Sequence, residues 1–294
     1  MYKIRDDEDR TLSECFDLFK LIYELTDSEE SIRRIAREVV VDFAADGVVY
    51  LELRTTPRCV MPSMSLERYV EVVLEGVEQA RVMYPEIQVK LLLSINRSFT
   101  VDVAESIVDL ALKFTDRGVV GIDLSGNPQL GDFSTWVVPL ERARKAGLGL
   151  AIHAAEIRNE KETDAIIAFA PDRIGHGVCM TDTQIEAMFS RNIGLEVCLT
   201  SNFKTQSITH ALDHPFAELH PREHLCAVCT DDSGVFSTSL SQEMALALEA
   251  LNGTLPIEGV KFALAAARLS FLSPSEKEQL IRRIETMAAD LFSE

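Results

Sequence analysis

Short apolar runs alternate with longer segments of helical period along most of this 294-residue chain. Residues 65–82 typify the longer segments, with apolar side chains three and four positions apart. The short runs are rich in β-branched and aliphatic residues and span 48–53, 89–95, 119–124, 149–153, 173–177, 194–199 and 226–230. This alternation predicts an α/β fold with parallel strands. Because the runs are apolar almost throughout, we expect the strands to be buried on both faces.

The placement of polar residues favours a closed barrel over an open doubly wound sheet. A dinucleotide-binding sheet would have a glycine-rich turn after its first strand, and the sequence has none there. Polar residues instead follow the strands, at the ends that share one mouth in a (β/α)8 barrel. They are Arg54, Thr55, Thr56, Asn96, Arg97, Asp123, Ser125, His153, His176, Ser201, Asn202, Asp231 and Asp232. The sequence therefore predicts a TIM-type (β/α)8 barrel.

Seven strands are counted, whereas a closed barrel of this type has eight. Residues 12–25 and 29–45 have helical patterns, so we expect the first strand to precede residue 1. The predicted organisation is a single barrel domain over residues 1–294. Residues 1–47 hold N-terminal helices, residues 48–232 hold strands two to eight, and residues 233–294 hold C-terminal helices. Helices are expected to end at four glycines: Gly47, Gly118, Gly147 and Gly194.

Charge and composition restrict the setting and the partners. The formal net charge of −18 repels nucleic acid and anionic membranes as a whole, although a local arginine can still bind a small anion. No apolar run approaches the roughly 18 residues of a membrane span. Residues 1–10 lack the apolar core of a signal peptide. Six scattered cysteines fit a reducing compartment, and we therefore expect a cytoplasmic protein.

Side chains that can carry chemistry lie at three of the predicted strand ends. His153 ends one strand and Glu156 follows it, so an imidazole that can bind zinc stands near a carboxyl that can transfer protons. A core histidine bonded to backbone is the alternative. His176 lies between two glycines, which allow close approach to its ring. Asp231 and Asp232 are adjacent carboxylates that stay ionised together only near a cation or hydrogen-bond donors; helix capping is the alternative.

Two other patterns indicate structural roles. Cys226 and Cys229 form a C-x-x-C pair, but strand residues three apart face opposite sides. His153 and Glu156 form H-x-x-E, not the H-x-E that accompanies such a pair in cytidine-type deaminases, so buried structural thiols are expected. Four histidines have i, i+4 spacing but are interrupted by prolines, and surface positions are expected for His210, His214, His220 and His224.

Five motifs, in this order along the chain, resemble the adenosine deaminase family: IDLSG, HAAE, IGHG, CLTSN and TDD. The longer segments LELRTTPR, GIDLSGNP, DRIGHG, LEVCLTSN and VCTDDSGVF are similar to its adenosine-deaminase-like subgroup, which removes methylamine from N6-methyl-AMP. The resemblance covers about residues 11–272. It implies a (β/α)8 barrel of the metal-dependent hydrolase type, in agreement with the alternation of strands and helices.

The resemblance also implies one Zn²⁺ per chain. The family holds it with an H-x-H pair on the first strand, a histidine on the fifth and an aspartate on the eighth. His153 and Asp231 match the last two ligands. No histidine precedes His153, so two ligands are expected to be missing with the first strand of an N-terminally truncated member. Glu156 matches the acid that protonates the purine ring, and His176 matches the residue that orients the attacking water.

A purine pocket is implied in the same way. Asp232 matches the hydrogen-bond partner of the five-membered ring, and Gly126 matches a backbone donor to the base. Arg58 is the expected phosphate partner, because guanidinium groups bind phosphate with two parallel hydrogen bonds. The other positions expected to contact the substrate are Tyr23, Thr55, Thr56, Pro57 and Asn96.

The activity implied by the resemblance is zinc-dependent hydrolysis of a purine nucleotide, N6-methyl-AMP giving IMP and methylamine. Three alternatives stay open: a truncated isoform that binds nucleotide without turnover, an adenosine deaminase acting on the nucleoside, and a related amidohydrolase with another substrate. The expected partner is a small nucleotide, not nucleic acid or a membrane. The family is monomeric, although an open barrel edge would permit association.

Overall fold

The computed structural model of the chain describes residues 11–60, 64–253 and 257–291. It has two compact units, residues 13–150 and the described residues from 151 onward. The strands, numbered in chain order, are β1 (Tyr50–Thr55), β2 (Gln88–Asn96), β3 (Val119–Ser125), β4 (Gly149–Ala154), β5 (Arg173–His176), β6 (Gly194–Val197) and β7 (Cys226–Val228).

Thirteen α-helices occur in the described part of the chain. They are α1 (Leu12–Leu25), α2 (Glu29–Ala45), α3 (Leu66–Met83), α4 (Val101–Lys113), α5 (Val137–Lys145), α6 (Glu160–Phe169), α7 (Asp182–Ser190), α8 (Leu199–Lys204), α9 (Phe216–Leu219), α10 (Ser233–Phe236), α11 (Leu240–Ala250), α12 (Ile257–Leu269) and α13 (Pro274–Leu291). Short 3₁₀ turns lie at Thr115–Arg117, Phe133–Trp136, Ala211–Asp213 and His220–Arg222. In these ranges no helix is both long and apolar enough to cross a membrane.

The unit of residues 13–150 is organised around the parallel pairs β1–β2 and β2–β3. The side chains of Leu91, Leu92 and Leu93 on β2 are buried, as expected for a central strand covered on both faces. Helices α2 and α3 pack together, and Arg68 of α3 donates hydrogen bonds to the carboxylates of Glu29 and Glu75. Because β1, β2 and β3 are paired in parallel, their polar carboxyl ends are held in register with one another.

The unit from residue 151 onward contains the parallel pairs β4–β5, β5–β6 and β6–β7. Its strands are short, and β5, β6 and β7 are buried along their whole length. A buried ion pair joins two of them, since Nε of Arg173 lies 2.9 Å from Oε1 of Glu196. Arg173 also donates to the backbone oxygen of Leu269 at the end of α12, and its guanidinium stacks 3.7 Å from the ring centre of Phe271. These contacts fasten α12 to the strands.

The seven predicted strands are confirmed, with boundaries shifted by up to two residues. The strand predicted at 194–199 ends at Val197 because α8 begins at Leu199. The prediction that Gly194 ends a helix is wrong, because Asn192 has the left-handed backbone there, with φ +55°. Gly194 begins β6 instead, where an added Cβ would lie 2.3 Å from Cδ2 of Leu269. The single-domain organisation and the strand before residue 1 stay predictions.

Candidate active site

Three strand ends of the unit from residue 151 onward bring titratable side chains together. His153 lies on β4, Glu156 follows that strand, His176 ends β5, and Asp231 follows β7. Nε2 of His176 lies 3.9 Å from Oε2 of Glu156 and 4.0 Å from Oδ2 of Asp231. The rings of His153 and His176 are tilted by 55°, with centres 5.1 Å apart. Four of the predicted site residues therefore form one cluster.

Helix α8 holds two members of this cluster in place. Oγ of Ser201 donates a 2.7 Å hydrogen bond to Oδ2 of Asp231. Nδ2 of Asn202 lies 3.3 Å from Nδ1 of His176. An amide that donates to Nδ1 places the proton of the neutral imidazole on Nε2, the atom that faces the two carboxylates. The start of α8 at Leu199 is thus what aims both side chains at the cluster.

Left-handed backbone conformations coincide with the same cluster. Ala155, His176 and Asp231 have φ angles of +53°, +64° and +53°. Each such residue other than glycine costs about 1–3 kcal/mol and persists only where the surrounding structure holds it. Three of the nine left-handed residues other than glycine in the described part of the chain thus lie at or just after the ends of β4, β5 and β7, where the reactive side chains meet. Strained backbone at such strand ends is typical of functional sites.

The residues present fit a divalent metal ion. One ligand atom from each of His176, Cys198 and Asp231 lies within 4.8 Å of the others, and His153 adds a second imidazole beside His176. Imidazole nitrogen, carboxylate oxygen and thiolate sulfur are the donors that zinc takes in proteins. A hydrogen bond with Cys229, together with burial, raises the pKa of the Cys198 thiol well above its usual range. Because a metal binds the thiolate form, the imidazole and carboxylate donors, not Cys198, are the groups that fit the ion.

His214 belongs to the surroundings of this cluster, and its predicted surface position is wrong. It is 1% exposed, and its Nδ1 accepts a 3.1 Å hydrogen bond from the backbone nitrogen of Phe216. His224 is buried as well, with Nε2 2.7 Å from the backbone oxygen of Ile193. Only tertiary packing decides these positions. Burial, and secondarily the charge of His176, lowers the pKa of His214 to about 3.

The depressed pKa of His214 predicts that stability falls on acidification. Between pH 6.5 and about 3 the unfolded chain binds a proton at this position that the folded protein does not, so stability rises with pH. Because pH 5 lies about 1.5 units below the ordinary histidine pKa, this residue costs about 2 kcal/mol there relative to pH 7. In urea unfolding, a His214→Asn variant should lose less stability than wild type when the pH is lowered from 7 to 5. The exposed His210→Asn variant is the control, and an equal loss in the two variants would contradict the assignment.

Arg58, the expected phosphate partner, lies in the unit of residues 13–150. Its guanidinium carbon lies over the rings of two tyrosines, 4.6 Å from the ring centre of Tyr23 and 5.4 Å from that of Tyr69. Nη2 donates a 2.5 Å hydrogen bond to the backbone oxygen of Thr26 and also contacts its hydroxyl. The hydroxyl of Tyr69 lies 3.0 Å from Oγ1 of Thr55. The arginine is thus held by Tyr23 on α1, by Tyr69 on α3 and by Thr26, which follows α1.

Two further predicted residues of this unit, Asn96 and Gly126, lie against each other. Gly126 has φ +96°, and an added Cβ would lie 2.7 Å from Oδ1 of Asn96. Glycine is therefore required here, and it exposes backbone at close approach. Oδ1 of Asn96 accepts hydrogen bonds from the backbone and hydroxyl of Ser98.

The remaining predicted substrate contacts are distributed over both units. Thr56 and Pro57 follow β1, where Thr56 is partly exposed and Pro57 is buried. In the other unit, Asp232 is exposed and precedes α10. Its backbone oxygen accepts hydrogen bonds from the backbone nitrogens of Val235 and Phe236. The substrate roles of all these residues stay predictions.

Two residues that contact the cluster have no role that the sequence indicates. In the sequence, Ser201 and Asn202 stand out only as polar residues after a strand and as part of CLTSN. A hydroxyl or amide has no spacing signature of its own, so their partners become visible only in the structure. The motif did place them at the correct strand end.

Parallel strands with imidazoles and carboxylates at their carboxyl ends are typical of hydrolases of the TIM-barrel class. The Adenosine deaminase family matches residues 2–287. The chain belongs to the adenosine deaminase family, which confirms the resemblance seen in the sequence.

Individual relatives agree with this. The N6-methyl-AMP deaminase of Danio rerio is 43% identical over 258 residues, which cover 84% of this chain and 74% of that protein. The crystal structure of the Arabidopsis N6-mAMP deaminase is similar with a TM-score of 0.91 and 43% identity, covering 96% of this chain and 86% of that one. The Arabidopsis ADAL structure complexed with IMP has a TM-score of 0.93 and 42% identity, with 98% and 86% covered. The predicted barrel class is confirmed by these matches.

Proposed function

We propose that this chain is a zinc-dependent hydrolytic deaminase of purine nucleotides that converts N6-methyl-AMP and water to IMP and methylamine. The observation that carries the proposal is the position of His176 Nε2, about equally far from the carboxylates of Glu156 and Asp231. Support for the nucleotide comes from relatives named N6-methyl-AMP deaminase and from the related structure that holds IMP.

Three side chains have different roles in the addition of water to C6 of the purine. Glu156 is 11% exposed at its side chain, so it is shielded from bulk water, and it supplies a proton to the ring nitrogen next to C6. His176, oriented by Asn202, hydrogen-bonds the incoming water through Nε2. Asp231, oriented by Ser201, accepts the proton of that water. The leaving nitrogen takes up the proton that Asp231 accepted, and methylamine departs as the C6 carbonyl of IMP forms, with the hydroxyl proton of the adduct returning to Glu156.

His153 and Asp231 are the residues that would hold the metal. A zinc ion bound there would lower the pKa of water to about 7 and so supply a nucleophile at neutral pH. Asp232 and the backbone at Gly126 would bind the base, and Tyr23, Thr55, Thr56, Pro57 and Asn96 would line the nucleotide. Arg58 would bind the phosphate, with its stacked guanidinium losing little conformational freedom on binding.

A substrate panel tests the proposal. Purified protein with measured zinc content is assayed for methylamine release from N6-methyl-AMP and N6-methyladenosine, and for ammonia release from AMP and adenosine. We expect zinc in the active protein and the highest kcat/KM with N6-methyl-AMP. Preference for adenosine would indicate a nucleoside deaminase. Binding of IMP without turnover of any of the four compounds would indicate a nucleotide-binding protein that is not an enzyme.

The Arg58→Ala variant separates nucleotide from nucleoside recognition. Removing one charge-assisted contact to phosphate costs about 1.5–3 kcal/mol, so KM for N6-methyl-AMP should rise about 10- to 100-fold. Turnover of N6-methyladenosine should not change. Arg117→Ala is the matched control, because Arg117 is an exposed arginine of the same unit, stacked on Phe114. An unchanged KM for N6-methyl-AMP in Arg58→Ala would favour an amidohydrolase with another substrate.

A further inference from the structure

Two cysteines lie side by side at the ends of neighbouring strands in the unit from residue 151 onward. Strands β6 and β7 are parallel, and Val197 is the register partner of Val228. Cys198 and Cys229 are the next residue on each strand. The backbone nitrogen of Cys229 donates a 2.8 Å hydrogen bond to the oxygen of Val197, so the ladder continues to the cysteines. The pair therefore occupies adjacent register positions.

The spacing of the pair suits a covalent bond. Neighbouring strands lie about 4.8 Å apart, within the range of about 4.4–6.8 Å that Cα atoms of a disulfide require. The Cys229 thiol is the largest cause that raises the pKa of the Cys198 thiol, in keeping with their adjacent register positions. Cys226, on the same strand as Cys229, lies three positions earlier and is fully buried.

Access to the two sulfur atoms differs. Cys198 is buried, whereas Cys229 is partly exposed. A partly exposed cysteine beside a buried one is the arrangement in which the first is oxidised by a reagent and the second resolves the product to a disulfide. Cys226 does not pair with Cys229, because strand residues three apart face opposite sides, whereas the strand register places Cys198 beside Cys229.

We propose that Cys198 and Cys229 form a reversible disulfide and constitute a redox modification site beside the candidate active site. Peroxide oxidises the sulfur of Cys229 to a sulfenic acid and releases one water. The sulfur of Cys198 then attacks it, the S–S bond forms, and a second water leaves. The two thiols lose two hydrogen atoms and two electrons in total, and the peroxide is reduced to water. A low-molecular-weight thiol reverses the bond by exchange.

The disulfide acts on residues that the proposed reaction uses. Asp231 lies two residues after Cys229, and Ser201 lies three residues after Cys198. The 2.7 Å hydrogen bond between Ser201 and Asp231 spans the ends of the same two strands. Because the Cα atoms of a disulfide are most often about 5.5–6 Å apart, the bond favours a spacing of those strand ends roughly 1 Å wider than the ladder holds. Resting on the proposed function, we therefore expect oxidation to lower turnover by about 10- to 100-fold, since misplacement by about 1 Å has this effect.

Mass spectrometry of the full-length protein tests the bond without reference to activity. The protein is treated with hydrogen peroxide, remaining thiols are alkylated, and tryptic peptides are compared before and after dithiothreitol. The expected product links residues 192–204 to residues 223–261, and fragment ions must assign the second sulfur to Cys229 because Cys226 lies on the same peptide. Linkage to Cys226, or further oxidation of Cys229 with Cys198 left alkylated, would overturn the proposal.

Activity is then measured on the same samples. Wild type should lose turnover with peroxide and regain it with dithiothreitol. The Cys229→Ser variant should keep its turnover through the treatment, and the exposed Cys59→Ser variant should respond as wild type does. Linked peptide with unchanged turnover would overturn the effect on the site. If no variant deaminates any purine, the peptide map still decides the disulfide, and only the proposed function fails.

Discussion

Replacing Glu156 with glutamine is expected to lower kcat for N6-methyl-AMP by about 10²–10⁴-fold, the range typical of a lost general acid. Glutamine keeps the size and polarity of the side chain but does not donate a proton to the purine ring. Glu156 lies 3.9 Å from His176 and its side chain is largely buried. Bulk water therefore does not reach the site easily enough to supply the proton in its place. The affinity for IMP should change little because the product needs no proton transfer.

The control for this variant is Glu160→Gln, an exposed carboxyl at the start of α6, four residues away. Its kcat should equal that of wild type. Steady-state rates and IMP titrations by fluorescence or calorimetry give the two quantities separately. If Glu156→Gln raised KM and left kcat unchanged, Glu156 would be a binding residue and the division of roles around His176 would be wrong.

Replacing Arg173 with methionine is expected to destabilise the protein by about 3–5 kcal/mol. The Arg173–Glu196 pair is almost completely buried, with side chains 6% and 5% exposed. Removing the arginine leaves the Glu196 carboxylate without its ion-pair partner and removes the hydrogen bond to Leu269 and the stacking on Phe271. Denaturant unfolding with global fitting measures the change.

A second variant separates two causes of the lost stability: the unpaired charge of Glu196 and the lost contacts of Arg173. In Arg173→Met/Glu196→Gln the carboxylate is neutral, so part of the stability should return. The exposed pair Arg34–Glu38 is the comparison, and Arg34→Met should leave the unfolding midpoint close to that of wild type. If Arg173→Met were as stable as wild type, the ion pair would contribute nothing to the attachment of α12.

The alternation of strands and helices could be predicted because the two kinds of element differ in the spacing of their apolar residues. Helix α2 was predicted at its observed bounds, 29–45. Boundaries were less predictable where two elements adjoin. The apolar run 194–199 continues into α8, and nothing in Leu199 itself marks the change from strand to helix. Asn192 replaced Gly194 as the left-handed residue because asparagine also tolerates that conformation.

The candidate site was predictable to the extent that its residues stand in motifs at strand ends. His153, Glu156, His176 and Asp231 were all placed together from such motifs. The burial of His214 and the neighbouring positions of Cys198 and Cys229 were not predictable, because they depend on tertiary packing and strand register. The hydrogen bond from Ser201 to Asp231 depends likewise on how α8 follows β6.

The most direct test of the central claim is turnover of N6-methyl-AMP in water enriched in ¹⁸O. Zinc content is measured on the same sample, and the nucleotide product is examined by mass spectrometry. The proposed hydrolysis at C6 predicts IMP that carries one ¹⁸O atom and an equal amount of methylamine. Absence of IMP from a folded, zinc-loaded protein, or IMP without the label, would contradict hydrolytic deamination by this chain.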